Sequence, residues 1–399
     1  MTPDGTLHFV KQGKPRITRR ADDGQNITQK RILIVGATGV FGSRLARHMA
    51  ADRRFELLLA SRSLSRSEAV ADRLTQGGAK LTPVELDTSS GVLEVLKELR
   101  PWCVADCSGP FQRMGYATAR AALSAGSHIV DIADSTGYLA GYRDALSALA
   151  RRNRRCAIAG ASSTPALSGA VVAHLTREMQ TILDIDLAIL PGGRGEVGSA
   201  VIDAILSYAG KPISIWQGGE LGSTLGWSDA ASISINGLGT RRAAAVSTFD
   251  AAFLGHRHKV QGNINFRAGL ESRAEQLGVE SLALIRRLGL VSELGGLTPL
   301  LRKMRHVTRL TTTDRGGMQV GVRGVLKGGK TVTRTWSLIA EDGDGPSVPI
   351  LPTAAAIKGL EAHQIGPGAK LAPEALCLDE ILEQAHPYAL RWHETSGSG

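Results

Sequence analysis

A chain of 399 residues with 43% hydrophobic and 21% charged content is long enough to build two cores and too apolar for a disordered or fibrous protein. Its net charge of +10 is scattered along the sequence and comes with only 4% aromatic residues, which argues against a stacking nucleic-acid surface and suits the attraction of an anionic cofactor and an acidic small-molecule substrate. No apolar run approaches the ~18 residues of a membrane span, residues 1–30 lack the apolar stretch of a secretory signal, and the four cysteines form no framework, so a cytoplasmic protein without membrane contact is expected.

In chain order, residues 1–30 are polar and basic and read as a flexible N-terminal extension. From residue 31 strands and helices alternate. Strands are predicted over 31–35, 56–60, 81–86, 102–107, 128–133 and 156–160, and helices over 43–51, 65–76, 90–99, 115–125 and 138–151, each with apolar residues at three-and-four spacing. This alternation predicts an α/β fold: a Rossmann-type doubly wound parallel sheet over 31–165, with ligands beyond the carboxyl ends of its strands. Past residue 165 the pattern changes to a helix over 166–179, strands over 182–190 and 231–236, and a hairpin of 318–326 and 331–340 around the turn KGGK. That indicates a second, α+β domain over 166–350. Residues 270–305 read as an amphipathic helical insert, one use of which is a homodimer contact. Residues 351–390 are expected to be C-terminal helices returning to the first domain, and the tail TSGSG to be disordered.

The first chemistry-bearing motif is VGATGVFG, residues 35–42. A glycine at each of 36, 39 and 42 permits a tight turn, backbone approach to a pyrophosphate, and close helix packing, while the helix N-terminus adds its partial positive charge. Gly36, Ala37, Thr38, Gly39, Val40, Phe41 and Gly42 are therefore candidate dinucleotide contacts; the alternative is a glycine turn that holds nothing. An NAD site needs an acid at the end of the second strand, where this chain carries Ser61, Arg62 and Ser63 instead. Arginine and hydroxyl groups there suit the 2′-phosphate of NADP(H). Asp87, ending the third strand, is placed for the adenine amino group, and Ser108, Gly109 and Pro110, ending the fourth, let backbone pass along the cofactor.

Proton-handling and substrate residues are less sharply marked. Asp131 and Asp134 stand at the carboxyl end of the fifth strand, where the nicotinamide half is expected; each also reads as a backbone acceptor or helix cap. None of the five tyrosines is followed four residues later by lysine, which excludes the usual Tyr-x-x-x-Lys proton relay. Arg334 shares its strand face with Val332, Trp336, Leu338 and Ala340, so it needs an anion, either a protein carboxylate or a substrate carboxylate. Arg194, in the loop PGGRGEVG, could anchor the same kind of group. His256 and His258 lack further ligands nearby, and no metal site is expected.

The stretch CSGPFQRMGYATARAALSAGSHIVDIADST resembles the Gly-Pro-Phe loop, helix and Asp-ending strand of saccharopine dehydrogenase-like NADP-dependent oxidoreductases. GEVGSAVIDAILSYAGKPISIWQGGE, WSLIAEDGDGPSVPILPTAAAIKGL and IGPGAKLAPEALCLDEILE are similar to later parts of the same family, so the resemblance spans about residues 30–385. It departs at His128–Val130, which replaces an aromatic approach to Asp131, and at ASSTPALSG after Gly160. The resemblance implies a Rossmann domain, an α+β domain that covers the cofactor, and hydride transfer with NADP(H). It leaves the substrate open between the C–N bond of an amino-acid-like compound and an enoyl double bond. A non-catalytic NADP(H)-binding regulator is the reading from another class.

Overall fold

The computed structural model describes residues 29–74, 77–195, 199–299, 301, 303 and 308–398. The expected N-terminal extension falls outside these residues but for its last two, as does part of the 270–305 segment and of the PGGRGEVG loop. Strands run in chain order as β1 (Lys30–Val35), β2 (Phe55–Ser61), β3 (Lys80–Glu85), β4 (Cys103–Asp106), β5 (His128–Asp131), β6 (Cys156–Ala159), β7 (Met179–Leu190), β8 (Pro212–Gln217), β9 (Glu220–Leu225), β10 (Ala231–Ile235), β11 (Gly239–Ala245), β12 (Ile264–Ala268), β13 (Gly316–Leu326), β14 (Thr331–Ala340), β15 (Gly368–Leu371) and β16 (Leu390–Ser398). They divide between two compact units.

The first unit comprises residues 29–133, 137–162 and 349–376. Its seven strands lie in the order β15-β6-β5-β4-β1-β2-β3, and every pairing is parallel. Continuous aliphatic runs explain this: Ile32, Leu33, Ile34 and Leu57, Leu59, Ala60 are all buried, as strands covered on both faces must be. Each such side chain contributes about 1.5–3 kcal/mol of burial. Helices Val40–Ala50, Leu64–Arg73, Val92–Leu99 and Ala117–Ser124 connect successive strands. The first buries Leu45, Ala46 and Met49 and ends on Arg47 and His48, which suit the negative end of its dipole. Strand order reverses from β1, which lies between β2 and β4; this is the arrangement that opens a crevice at the carboxyl ends.

The second unit comprises residues 134–136, 163–348 and 377–398. Its nine-stranded sheet runs β10-β11-β12-β7-β13-β14-β16, with β8 and β9 attached through β12. The twelve-residue β7 is central, parallel to β12 and antiparallel to β13. The helix predicted over 166–179 is shorter than its apolar pattern, Ser168–Leu175, because the chain turns at Thr176 and enters β7 at Met179. In the 270–305 segment helix Arg273–Arg287 is capped by Ser272, whose hydroxyl accepts the Glu275 N–H at 3.3 Å, and a 3-10 turn follows at Gly295–Leu297.

Two expectations need correction. Residues 351–390 are not helices alone: after helix Leu351–Glu361, β15 pairs with β6 from Gly368↔Cys156 to Leu371↔Ala159. The tail is not left unordered either, since β16 runs to Ser398 and pairs with β14 from Ala340↔Leu390 to Val332↔Ser398. In both cases a neighbouring strand edge supplies hydrogen-bond partners that the backbone takes regardless of side-chain composition. Among the described residues no helix is long and apolar enough to cross a membrane.

Candidate functional site

The glycine turn follows directly from β1. Gly36 has φ +75°, and a Cβ there would stand 3.0 Å from the Cys107 carbonyl oxygen. A Cβ at Gly42 would come within 2.2 Å of the Gly36 oxygen, so this glycine is what lets helix Val40–Ala50 close onto the turn. Gly39 is different: its φ is −80°, and a Cβ would meet only the Gly36 oxygen, at 3.2 Å. Its N–H donates to that oxygen at 2.9 Å, and the Ala37 N–H to Ala60 at 3.0 Å. Ala37 and Gly42 are buried, Thr38, Val40 and Phe41 half-buried, and Gly39 exposed. The helix has no side-chain cap and no acid in its first turn. Its first N–H groups are therefore an anion site of the kind a pyrophosphate fills.

At the end of β2, Ser61 organises the turn. Its hydroxyl donates to the Ser63 carbonyl at 2.8 Å, accepts the Ser63 N–H at 3.3 Å and lies 2.9 Å from the Ser67 hydroxyl. Arg62 is exposed at the tip of that turn and has no ion pair among the described residues. Asp87 accepts the Ser89 N–H at 3.0 Å. Its carboxyl is held below the usual range by that hydrogen bond first and, more weakly, by the Arg62 charge nearby. With an unpaired guanidinium and no acid closing the β2 turn, this strand end fits a phosphorylated ribose, and the residues present fit NADP(H).

Beyond β4 and β5 the site is tied down by two carboxyl groups. Asp106, which sequence reasoning passed over as one acid in the apolar run WCVADC, accepts the Ser108 N–H at 3.0 Å and its hydroxyl at 2.6 Å, both on Oδ1. It thereby fixes the turn carrying Gly109 and Pro110, which are exposed. Asp131 is fully enclosed: Oδ1 accepts the N–H groups of Ala133 at 3.1 Å and Gly160 at 3.0 Å, and Oδ2 accepts the Tyr138 hydroxyl at 3.1 Å. Burial pushes its carboxyl up to about 7. Tyr138 packs with Phe111, Tyr116 and Tyr142, with ring centroids 5.0–5.6 Å away. Asp134 is exposed and belongs to the second unit.

The two candidate substrate arginines also lie in the second unit, in separate places. Arg334, 16% exposed, donates to the Leu175 carbonyl at 3.1 Å and pairs with Glu178, which is 72% exposed. Together with His174, Arg177, Glu394 and Ser396 they line a cleft of about 390 Å³, across which His174 meets Glu394 at 2.9 Å. Arg194 is exposed beside the end of β7, roughly 20 Å along the ladder from Arg334. Its N–H donates to Thr313 at 2.8 Å, and its Nε to the Arg309 carbonyl at 3.3 Å, while Arg309 Nη2 donates back to the Arg194 carbonyl at 2.6 Å. Glu271 holds this loop by accepting the Gly193 N–H at 2.7 Å, the Thr313 N–H at 3.0 Å and the Thr313 hydroxyl at 2.7 Å, with Arg241 at 3.2 Å. The structure thus brings together the glycine turn, the β2 turn and the β4 turn, and it places neither arginine with the other. His256 packs its ring against Trp216.

Residues 32–159 match the saccharopine dehydrogenase NADP binding domain family. No curated protein sequence matches the chain. Among solved structures, apo histidine-tagged saccharopine dehydrogenase (L-Glu forming) from Saccharomyces cerevisiae is similar at 14% identity, over 92% of this chain and 100% of that one, with a TM-score of 0.65. A multiply substituted meso-dapdh from Clostridium tetani E88 with DAP has 13% identity over 90% of this chain and 99% of that one, with a TM-score of 0.44. GenD2 from gentamicin A biosynthesis, in complex with NAD, has 12% identity over 94% of this chain and 99% of that one, with a TM-score of 0.41. The glycine turn, the β2 turn and strands β2 to β6 thus lie within the stretch that matches the NADP-binding family, in a chain whose fold is like that of saccharopine dehydrogenase.

Proposed function

We propose that the chain is an NADP(H)-dependent oxidoreductase acting on a C–N bond of an amino-acid-like substrate. The observation that carries the NADP(H) part of this reading is the uncapped helix N-terminus at Gly39 together with the unpaired Arg62, in a stretch that matches the NADP-binding family. Backbone N–H groups of Val40, Phe41 and Gly42 hold the pyrophosphate. Arg62 holds the 2′-phosphate on a turn shaped by Ser61 and Ser63, and Asp87 accepts from the adenine amino group. Ser108, Gly109 and Pro110 border the path toward the nicotinamide, which when bound supplies or accepts the hydride.

For the substrate, Arg194 is the better carboxylate anchor, because its guanidinium is exposed on a loop fixed by Glu271. Arg334 can serve only if a substrate carboxylate replaces Glu178. Asp134, exposed, can exchange a proton with substrate or water; Asp131, enclosed, acts by holding the β5 turn. Loss of NADPH absorbance on addition of amine and 2-oxo-acid pairs tests the reading. Turnover with enoyl compounds alone moves the chemistry to a C=C bond, and NADPH binding without turnover of either class leaves a regulatory binder.

A further inference from the structure

Helix Arg273–Arg287 buries Gln276, Val279, Ala283 and Arg286 and turns its opposite side to solvent. On that side Leu277 is 53% exposed, Leu284 53% and, one residue past the helix, Leu288 63%. Leu290 and Val291 carry the exposed apolar surface beyond the helix end. Large apolar side chains gathered in one segment and rimmed by charge mark an interaction site, unlike the single leucines scattered over any surface. Ala274, Leu277, Ser281, Leu284 and Leu288 are all exposed and recur at alternating steps of three and four, the spacing of a seam that one helix buries against another.

This seam is complementary to itself. When two copies run antiparallel with Ser281 opposite Leu284, Leu284 meets Ser281 across the two-fold axis and Leu277 meets Leu288, so a small side chain makes room for a large one in both central layers. The residues flanking those layers are Glu280 and Arg287, and each copy's Glu280 then faces the other's Arg287, twice by symmetry. A shift of one heptad in either direction brings Glu280 against Glu280 or Arg287 against Arg287 instead. A parallel pair stacks Ser281 on Ser281 and sets no opposite charges across the seam. Arg287 is exposed and has no ion pair among the described residues, while Glu280 is held in place by Arg242 at 2.9 Å and Gln276 at 2.7 Å.

We propose that this face is an isologous dimer interface, occupied by the same helix of a second copy of the chain in the antiparallel register that pairs Glu280 with Arg287. Orientation and register both follow from the charge pattern. Four helical turns bury less than the roughly 800 Å² per partner of a standard stable interface, so the dimer is expected to dissociate in the micromolar range. Nothing in this assignment depends on the NADP(H) reading.

Analytical ultracentrifugation of the full chain across the micromolar range tests it. The unsubstituted chain is expected to pass from monomer to dimer, and Leu284→Asp to stay monomeric while keeping the circular dichroism melt of the dilute parent. Arg287→Glu and Glu280→Arg are each expected to raise the dimer Kd at least about fivefold, by opposing like charges at both symmetric positions. The effect is set no higher because Arg242 shares the Glu280 carboxylate. An equimolar mixture of these two variants is expected to associate within about twofold of the unsubstituted chain, since each supplies the charge that the other lacks. A chain that stays monomeric throughout the range, or a dimer that survives Leu284→Asp, overturns the proposal; the first result leaves the face to another segment of the chain or to an unrelated protein. Absence of recovery in the mixture, with both variants melting as the parent does, overturns the antiparallel register.

Discussion

The glycines at 42 and 39 differ in what they are for, and substitution separates the two roles. In Gly42→Ala the new Cβ would stand 2.2 Å from the Gly36 oxygen, 2.7 Å from its carbonyl carbon and 3.0 Å from the Ala37 Cα. All three are backbone atoms, and the shortest contact is more than about 1 Å inside van der Waals separation. No side chain can swing away, so helix Val40–Ala50 must shift off β1. Overpacking of this kind costs about 1–3 kcal/mol, and the backbone overlap places Gly42→Ala near 3. For a unit of this size that lowers the melting temperature by about 6–12 °C. In Gly39→Ala the Cβ meets a single atom at 3.2 Å with φ already at −80°, so the melting temperature is expected to stay within about 2 °C. The methyl group would instead cover the surface a pyrophosphate needs, raising the NADPH Kd at least about tenfold, or 1.4 kcal/mol. Thermal melts by circular dichroism without cofactor, and NADPH fluorescence titrations, measure both. The reasoning fails if Gly42→Ala melts with the unsubstituted chain, or if Gly39→Ala binds NADPH as tightly as before.

Arg334→Met is expected to cost only about 1 kcal/mol in urea unfolding, because the exposed Glu178 returns to water and the main loss is the bond to Leu175; a loss above about 3 kcal/mol would contradict this. Glu271→Ala should cost about 3 kcal/mol or more, since it leaves the 10%-exposed Arg241 charge without its carboxylate; an unchanged urea midpoint would refute that. Burial pushes His258 down to about 4, so as pH falls from about 6.5 toward 4 the unfolded chain takes up a proton that the native state refuses, and stability is lost. His258→Gln should flatten that acid limb. Asp131 opposes the trend, because the native state keeps its proton up to about 7 while the unfolded chain releases it near 3.8, so the test is the difference between variant and parent slopes.

The first unit was readable because its signals repeat: each buried strand is an aliphatic run, each connector has helical spacing, and the glycine turn sits between the first of each. β15 was not, because Gly368–Leu371 is four residues with no period of its own and becomes a strand only beside β6. The tail was misread for the same reason, its serines and glycine being held by β14 rather than by any preference of their own. At the site, Arg62 could be found from composition at a strand end, whereas Asp106 could not: one acid in the apolar run WCVADC gives no sign of the Ser108 turn that it fixes. Arg334 was recognisable as a cation in need of an anion, but nothing in its own strand names Glu178, which a different segment delivers.

The central claim, that this domain holds a 2′-phosphorylated dinucleotide through Arg62, is tested most directly by isothermal titration of the full chain with NADPH and with NADH at one salt concentration, repeated for Arg62→Ala. The account predicts that NADPH binds at least about tenfold more tightly, a difference of about 1.4 kcal/mol, and that Arg62→Ala removes most of that preference while leaving NADH affinity nearly unchanged. Equal affinities in the unsubstituted chain, or a preference that survives Arg62→Ala, would contradict it.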